Sequence, residues 1–404
     1  MPGFSPKPVI IAVGIYVPGY GLTRVFLELF ARLSKYYTIH WLGLAWRGAV
    51  TENEHYTLHP SNLKGGDMYG AAEAAAMAVE LNASAIWLLN DLYMLRNYGH
   101  TWEPLKEKKI KLVGYIPLDG DIADEDIMAD TLFLDTLILY NEWALEQVTN
   151  ATKKYLLKNN VPPEQIPQTD FVYHGVDTDF FSPVTADVKK RLKEKLFAVP
   201  EPGEAVFILN ANRYNERKDI EATIAGFSKA FPLFTRPAYL CLHTPGIHQL
   251  KLDELQQKIN ALPAASRILL NPLGKEYISN ELLRDLYRAC DIGVNTSVGE
   301  GWGLISFEHA ACGAGQLVPG HSAPAVLWKD AGIQLLVKAE RWLDTSPFRM
   351  YSIDEDELAT QLIRLVNEEE SKMLLRVNSY SYSVQKKFNW NTAAEKWKQL
   401  LPRN

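Results

Sequence analysis

The sequence predicts an α/β protein built from two doubly wound parallel-sheet units. Three observations lead there. Short aliphatic or β-branched runs alternate with helical patterns through the chain. The alternation pauses at residues 180–203, where Pro183, Pro200 and Pro202 surround a charged stretch, and restarts at Ala205. The 404 residues also suit two domains. The expected domains are residues 1–185 and 200–384, joined by a linker and enclosing a cleft.

The elements follow in order. Residues 9–17 are apolar and end in a Pro-Gly-Tyr-Gly turn, which marks a buried first strand. Leu22, Val25, Phe26, Leu29, Phe30 and Leu33 recur at helical spacing, so a helix is expected over 22–35. Strands are expected at 37–44, 85–89, 111–116, 136–140 and 171–173, with an Ala-rich helix at 71–81. Asn141 suits an N-cap for a helix reaching about Leu157. Residues 187–196 form a charged helix inside the linker. In the second unit strands are expected at 205–210, 238–244, 268–270, 292–296, 316–319 and 334–337. Helices are expected at 219–231, 251–262, 280–289, 303–312 and 354–369, with Gly313 just past the fourth.

Composition narrows the function. Hydrophobic residues at 47% and charged residues at 22% exclude a disordered or fibrous chain. The net charge of −6 argues against a general nucleic-acid binder. Residues 1–185 hold 14 Lys and Arg against 22 Asp and Glu, and the remainder 28 against 26. An anionic ligand therefore meets a friendlier field in the second half, and an anionic membrane a poor one in the first. Lys106, Lys108, Lys109 and Lys111 read as a solvated face. Cys241, Cys290 and Cys312 show no C-x-x-C spacing, so buried or free thiols are expected and no metal site. No apolar run is long enough for a membrane span, and residues 9–17 read as a strand rather than a leader, so a cytoplasmic protein is expected.

Three segments carry candidate chemistry. The strongest runs from Thr296 to Glu308. Glu300 and Glu308 lie eight apart across Gly301, Trp302, Gly303 and Leu304, at the start of a helix. The glycines permit close backbone approach, and two carboxylates aimed at one place suit a polyhydroxylated ligand. Arg213 and Lys218 follow the strand ending at Asn210; at the carboxyl end of a buried strand they can hold a diphosphate. Gly19 and Gly21, followed by Arg24, form a glycine turn into a helix N-terminus, an anion cradle without the third glycine of the dinucleotide fingerprint. His174 precedes Gly175, Val176 and Asp177; it reads either as a cleft residue or as a satisfied loop histidine.

Together these residues resemble the retaining glycosyltransferases of family 4, which have the GT-B fold of two Rossmann-like domains facing a central cleft. The E-x7-E signature looks like Glu300 and Glu308. The R-x4-K pair looks like Arg213 and Lys218, and the first glycine loop looks like Gly19, Gly21 and Arg24. The N-G-V-D turn is similar to the segment beginning at His174. The aromatic segment before the last helix looks like Phe388, Asn389, Trp390 and Asn391, and the resemblance implies that this helix, at about 385–404, crosses back to the first domain. Trp302 stands where Phe is commoner, and Asp219 where Gly usually follows the Lys. The family's first-domain histidine has no clear counterpart; Asn90-Asp91 and residues 117–121 lie where it belongs, and Asp119 is the nominee.

The resemblance implies transfer of a sugar from a UDP- or GDP-sugar to a hydroxyl of a glycan, lipid or other acceptor. Glu308 would bind ribose, while Glu300 and the backbone of Gly301 and Gly303 would hold the donor sugar. Arg213 and Lys218 would stabilise the leaving diphosphate in place of a metal, so no essential cofactor is expected. Two alternatives stay open. One is a nucleotide-sugar hydrolase or epimerase using Asp119 and Asp121 as acid and base; the other is a catalytically silent sugar-nucleotide binder.

Overall fold

The alternation of buried aliphatic runs with amphipathic helices is realised as two parallel sheets, one in each of two compact units. The structure, a computed structural model, describes residues 6–61 and 65–403; residues 1–5 of the first expected domain and the last residue of the helix expected at about 385–404 lie outside these. Unit 1 comprises Met1–Gly175 with Trp390–Asn404, and unit 2 comprises Val176–Asn389.

Unit 1 contains β1 (Val9–Ile15), β2 (Thr38–Leu44), β3 (Thr51–Glu52), β4 (Thr57–Pro60), β5 (Ala85–Leu89), β6 (Lys111–Ile116), the short β7 (Asp121–Ile122), β8 (Thr136–Leu139) and β9 (Gln168–Phe171). Its eight-stranded sheet has the order β3-β4-β2-β1-β5-β6-β8-β9, parallel except at β3 and β4. The strand order reverses between β1 and β5, a switch point in a run of parallel strands. The central strands are solidly apolar because helices cover both faces. Phe26 and Phe30 of helix Gly21–Leu33 pack edge-on against Trp41, and Trp87 meets Trp397 at 4.4 Å between centroids. Trp397 also meets Tyr115, and Lys111 Nζ donates to Leu400 O at 2.8 Å. These contacts bind helix Trp390–Leu400 into unit 1. A Cβ at Gly175 would fall 2.2 Å from Trp390 N, so only glycine admits that helix so closely.

Unit 2 contains β10 (Val206–Asn210), β11 (Ala238–Leu242), β12 (Ile268–Leu270), β13 (Ile292–Val294), β14 (Gly315–Pro319), β15 (Ile333–Leu335), β16 (Val337–Arg341) and β17 (Phe348–Ile353). The six-stranded parallel sheet is ordered β12-β11-β10-β13-β14-β15, and its switch point lies between β10 and β13. Ile208, Leu240, Ile292 and Leu317 of the sheet pack with Phe227, Leu358 and Leu362 of the helices in one apolar core. The charged helix expected inside the linker, Ala186–Leu196, is fastened to this unit by Lys189 and Lys193, which both bind Asp291.

Several boundaries differ from expectation. The strand expected at 171–173 is β9, three residues earlier at its start. The single strand expected at 334–337 is split: β15 ends at Leu335, and Val337 begins an antiparallel pairing of β16 with β17. Helices Ser322–Leu327 and Glu369–Ser383 were not anticipated. Cys241, Cys290 and Cys312 are all buried thiols. Among the described residues no helix is long and apolar enough to cross a membrane.

Candidate active site

The strands flanking the switch point of unit 2 end in the two strongest sequence motifs. After β10, the side chain of Asn215 accepts from Lys218 N at 3.0 Å and winds Glu216–Lys218 into a single 3-10 turn. After β13, Asn295 Oδ1 accepts from Ser297 N (3.0 Å) and Ser297 Oγ (2.6 Å), curling the loop toward Gly299. The two loops are stitched together: Val298 N donates to Arg217 O at 2.8 Å, and Thr296 Oγ1 donates to Asp219 O at 2.8 Å. Thr296 Oγ1 also lies 2.8 Å from Thr223 Oγ1, which accepts from Asn210 Nδ2 at 2.8 Å. A buried polar chain thus fixes both loops on the sheet, with each member hydrogen-bonded as burial requires.

At the centre the Lys218 ammonium binds the Glu300 carboxylate directly, and each residue is 7% exposed. Arg217 Nη1 donates to Gly299 O at 2.6 Å and lies 3.8 Å from Glu300 Oε1. Burial alone would raise the Glu300 pKa. The Lys218 charge, then Arg217, then hydrogen bonds from Lys218 and Asn295 outweigh it and hold the group at about 2. Glu300 is therefore an anion throughout the physiological range. His321, at the N-cap of helix Ser322–Leu327, is also buried, and its Nε2 has no hydrogen-bond partner among the described residues. Burial lowers its pKa to about 4 despite the pull of Glu300, leaving a neutral ring.

Gly303 caps helix Leu304–Ala311 with φ of 86°, a left-handed conformation that favours glycine. Trp302 lies almost parallel to Phe307 at 4.8 Å and meets Phe388 edge-on, so the larger ring found there is absorbed by unit 2's own aromatics. Gly301 is buried beside it, and Leu304 opens the helix. Glu308, 3% exposed, lies one turn inside the same helix. Arg213 is half-buried on the β10 loop. The cations seen at Glu300 are Lys218 and Arg217, so sequence reasoning named one of the two. Arg217 was passed over because adjacent positions in an ordinary helix diverge; here the Asn215-capped turn and the Val298 tie bring both to one carboxylate. Asn295 and His321 lie outside the segments singled out in the sequence, and Thr296 and Ser297, which open the strongest of them, carry no assigned role there.

Unit 1 holds the remaining nominees. Gly19 has φ of 81°, and Gly21 opens helix Gly21–Leu33, whose N-cap Tyr20 gives no side-chain cap. Thr23 Oγ1 accepts from Val17 N and donates to Ile15 O, both at 2.9 Å, fastening the turn to β1. Arg24 lies on the first helical turn. Asp119 is half-buried beyond the end of β6 and, with Asp91, acts electrostatically on Tyr140. The Tyr140 hydroxyl is buried without a hydrogen-bond partner among the described residues. His174 is 2% exposed, its Nδ1 is 2.7 Å from Tyr115 Oη, and its ring packs on Tyr140 and Trp390. Burial lowers its pKa to about 3. The structure gives His174 a packing role in unit 1.

The sequence matches no family model, and no curated protein matches it. Solved structures do match along nearly the whole chain. Sucrose-phosphate synthase from Thermosynechococcus elongatus is similar at 17% identity with a TM-score of 0.72, covering 98% of each chain. Anabaena HepE in complex with UDP and glucose is similar at 12% identity and a TM-score of 0.70, covering 98% of this chain and 99% of that one. The catalytic domain of starch synthase IV from Arabidopsis thaliana, bound to ADP and acarbose, is similar at 12% identity and 0.66, with the same coverage. The likeness is one of fold: the mixed α/β architecture with parallel sheets is that of GT-B glycosyltransferases.

Proposed function

We propose that this chain is a retaining glycosyltransferase of the family 4 type, moving a sugar from a nucleoside-diphosphate sugar to an acceptor hydroxyl. The observation that carries the reading is the buried pairing of Lys218 with Glu300, joined by Arg217, across the two loops at the unit 2 switch point. Ligands of such sheets bind outside the strands' carboxyl ends at that point. The fold shared with sugar-transferring proteins, including one holding UDP and glucose, supports the same class of donor.

In this reading Glu308 accepts the ribose hydroxyls, and Glu300 with the Gly301 and Gly303 amides holds the donor sugar. Lys218, with Arg213 and Arg217, meets the charge that develops on the leaving diphosphate. Donors fixed before reaction need no reorganisation as that charge grows, which makes this the largest expected term. The leaving phosphate takes the acceptor proton on the face it departs from, so no protein nucleophile is assigned. Gly19, Gly21, Arg24 and Asp119 are unit 1's nominees for contacts to the donor and the reacting sugar.

The test begins with a thermal-shift screen of UDP, GDP, ADP and their sugars. A nucleotide at 100 times its Kd stabilises the native state by about 2.7 kcal/mol. NMR of the responding donor sugar, with and without acceptors, then reports transfer and the anomeric configuration of the product. Hydrolysis or epimerisation without acceptor would overturn the transferase reading, as would binding without turnover across a broad acceptor panel. Lys218→Ala is expected to lower kcat by about 10²- to 10³-fold while weakening donor binding less. An unchanged kcat in a folded variant would remove Lys218 from the chemistry.

A further inference from the structure

Unit 2 has a second concavity, at the other end of its sheet. It measures about 630 Å³ and lies where the chain enters the strands: Gly203 precedes β10, Asp291 precedes β13 and Gly313 precedes β14. Its walls come from helices Ala186–Leu196 and Glu369–Ser383. The volume falls within the range of small-molecule sites, and none of the donor-site residues lines it.

The lining is cationic. Lys189, Lys190, Lys193, Lys372 and Arg376 face it, against Asp291 and Glu369. Lys189 and Lys193 share the single carboxylate of Asp291, at 2.7 and 2.8 Å, which leaves that cluster one positive charge in excess. Lys372 is paired with Glu369 at 2.9 Å and Lys190 with Glu204 at 2.7 Å. Arg376 makes no ion pair with any described residue. Its guanidinium lies over Gly313: a Cβ there would sit 3.4 Å from Arg376 Nη2 and from Pro183 Cβ. The rim is apolar. Met373 and Val377 are 62% and 50% exposed on the same helix, beside Tyr380 and Pro183.

An uncommitted guanidinium fork above a surplus ammonium suits a phosphate group, and exposed apolar side chains around it suit a hydrocarbon attached to that phosphate. We propose that this pocket binds a phosphate ester with an apolar substituent, independently of the donor site. A soluble phosphorylated metabolite and the headgroup of an anionic phospholipid present the same chemistry.

The experiment uses the full chain and n-hexyl phosphate, with inorganic phosphate and hexanol as its separate halves, followed by calorimetry. Hexyl phosphate is expected to bind about tenfold more tightly than inorganic phosphate, because only the ester engages the rim as well. Arg376→Glu should weaken it about tenfold or more, with an unchanged melting temperature, and Arg376→Lys should retain most of the affinity. Lys218→Ala should bind hexyl phosphate like the parent, which separates this site from the donor reading. Sedimentation with phosphatidylcholine vesicles, with and without phosphatidic acid, distinguishes the sources. Binding to the acidic vesicles that Arg376→Glu abolishes assigns the ligand to a bilayer; hexyl phosphate binding without vesicle binding assigns it to solution. Failure of both probes, or equal binding by Arg376→Glu, overturns the proposal.

Discussion

Two carboxylates in unit 2, Glu300 buried and Asp291 partly buried, each hold two cations, at opposite ends of one sheet. Asp291, at the amino end of β13, binds Lys189 and Lys193 and also accepts from the Phe207 amide at 2.9 Å; its own amide donates to Phe207 O at 2.8 Å. Glu300, beyond the carboxyl end of the same strand, binds Lys218 and Arg217, with Asn295 and Ser297 beside it. The chemistry is similar, but the anchoring differs. Asp291 is tied to the main chain of β10, so its partners cannot change without opening the sheet. Glu300 is held by side chains on two loops, which can be exchanged for a ligand's groups. The first carboxylate fastens the fold; the second holds its charge pair at the switch point, where the proposed donor would bind.

The largest effect expected from this contrast is on stability at Asp291. Asp291→Ala leaves two lysines against an uncharged wall, one of them 6% exposed. Breaking a buried pair by removing one partner costs about 3–5 kcal/mol, to be read from urea denaturation. A cost below about 1 kcal/mol would place Asp291 among ordinary surface pairs and erase the contrast.

Acid titration sharpens the comparison at Glu300. The carboxyl is held at about 2 in the native protein, against an ordinary value of 4.5. The unfolded chain therefore binds the proton first. The associated stability is present above about pH 4.5 and is lost as pH falls toward 2; its ceiling is about 3 kcal/mol. Asp291 is also held well below its usual range: burial opposes this, and the two lysines overcome it. Glu300→Gln removes one of the acid-sensitive groups. Denaturation midpoints of the variant and the parent should converge between about pH 5 and pH 2.5. A constant gap would mean that Glu300 is not ionised by its cations.

A smaller effect separates two arginines on one loop. Arg217 bridges Gly299 O and Glu300, and a lysine cannot span both with one ammonium. Arg217→Lys should lower kcat/KM about tenfold, the equivalent of one charge-assisted hydrogen bond, and raise the acid midpoint. Arg213→Lys should raise the acid midpoint less than Arg217→Lys does, since Lys218 and Arg217 are the cations that hold Glu300 down most strongly. Equal acid midpoints for the two variants would undo the assignment.

How much of this was legible in the sequence depended on the physical signal. Elements with an apolar run or a clean cap were read to the residue: Ala85–Leu89, Lys111–Ile116, Ile268–Leu270 and Asn280–Ala289. Helix Glu369–Ser383 was missed because it follows helix Glu355–Asn367 after a single extended residue, Glu368, and exposes Met373, Leu374 and Val377, which blurs its apolar stripe. The β16–β17 hairpin was missed because β16 is exposed along its length and shows no alternation. In the site, Lys218 and Glu300 stood out as unusual residues in glycine-rich or cationic strings. Arg217 and His321 did not, because their places depend on one capped turn and one short helix that no spacing announces.

The smallest expected effect lies beside Lys218, where Asp219 replaces the glycine usual in the family it resembles. Its φ of 41° is left-handed, a region that favours glycine. Aspartate is among the few other residues that tolerate this region, and here its carboxylate accepts from Ala222 N at 3.3 Å and caps helix Ile220–Ala230. The cap offsets the backbone strain, while Thr296 holds the Asp219 carbonyl in place. Asp219→Ala loses the cap and keeps the strain, for a cost of about 1–2 kcal/mol. Asp219→Gly loses the cap but relieves the strain, so it should stay within about 0.5 kcal/mol of the parent. Asp219→Asn keeps both functions and should be neutral. Equal losses in the alanine and glycine variants would show that the left-handed backbone costs nothing there. The loop that presents Lys218 would then owe its shape to its hydrogen bonds to Thr296 and Val298.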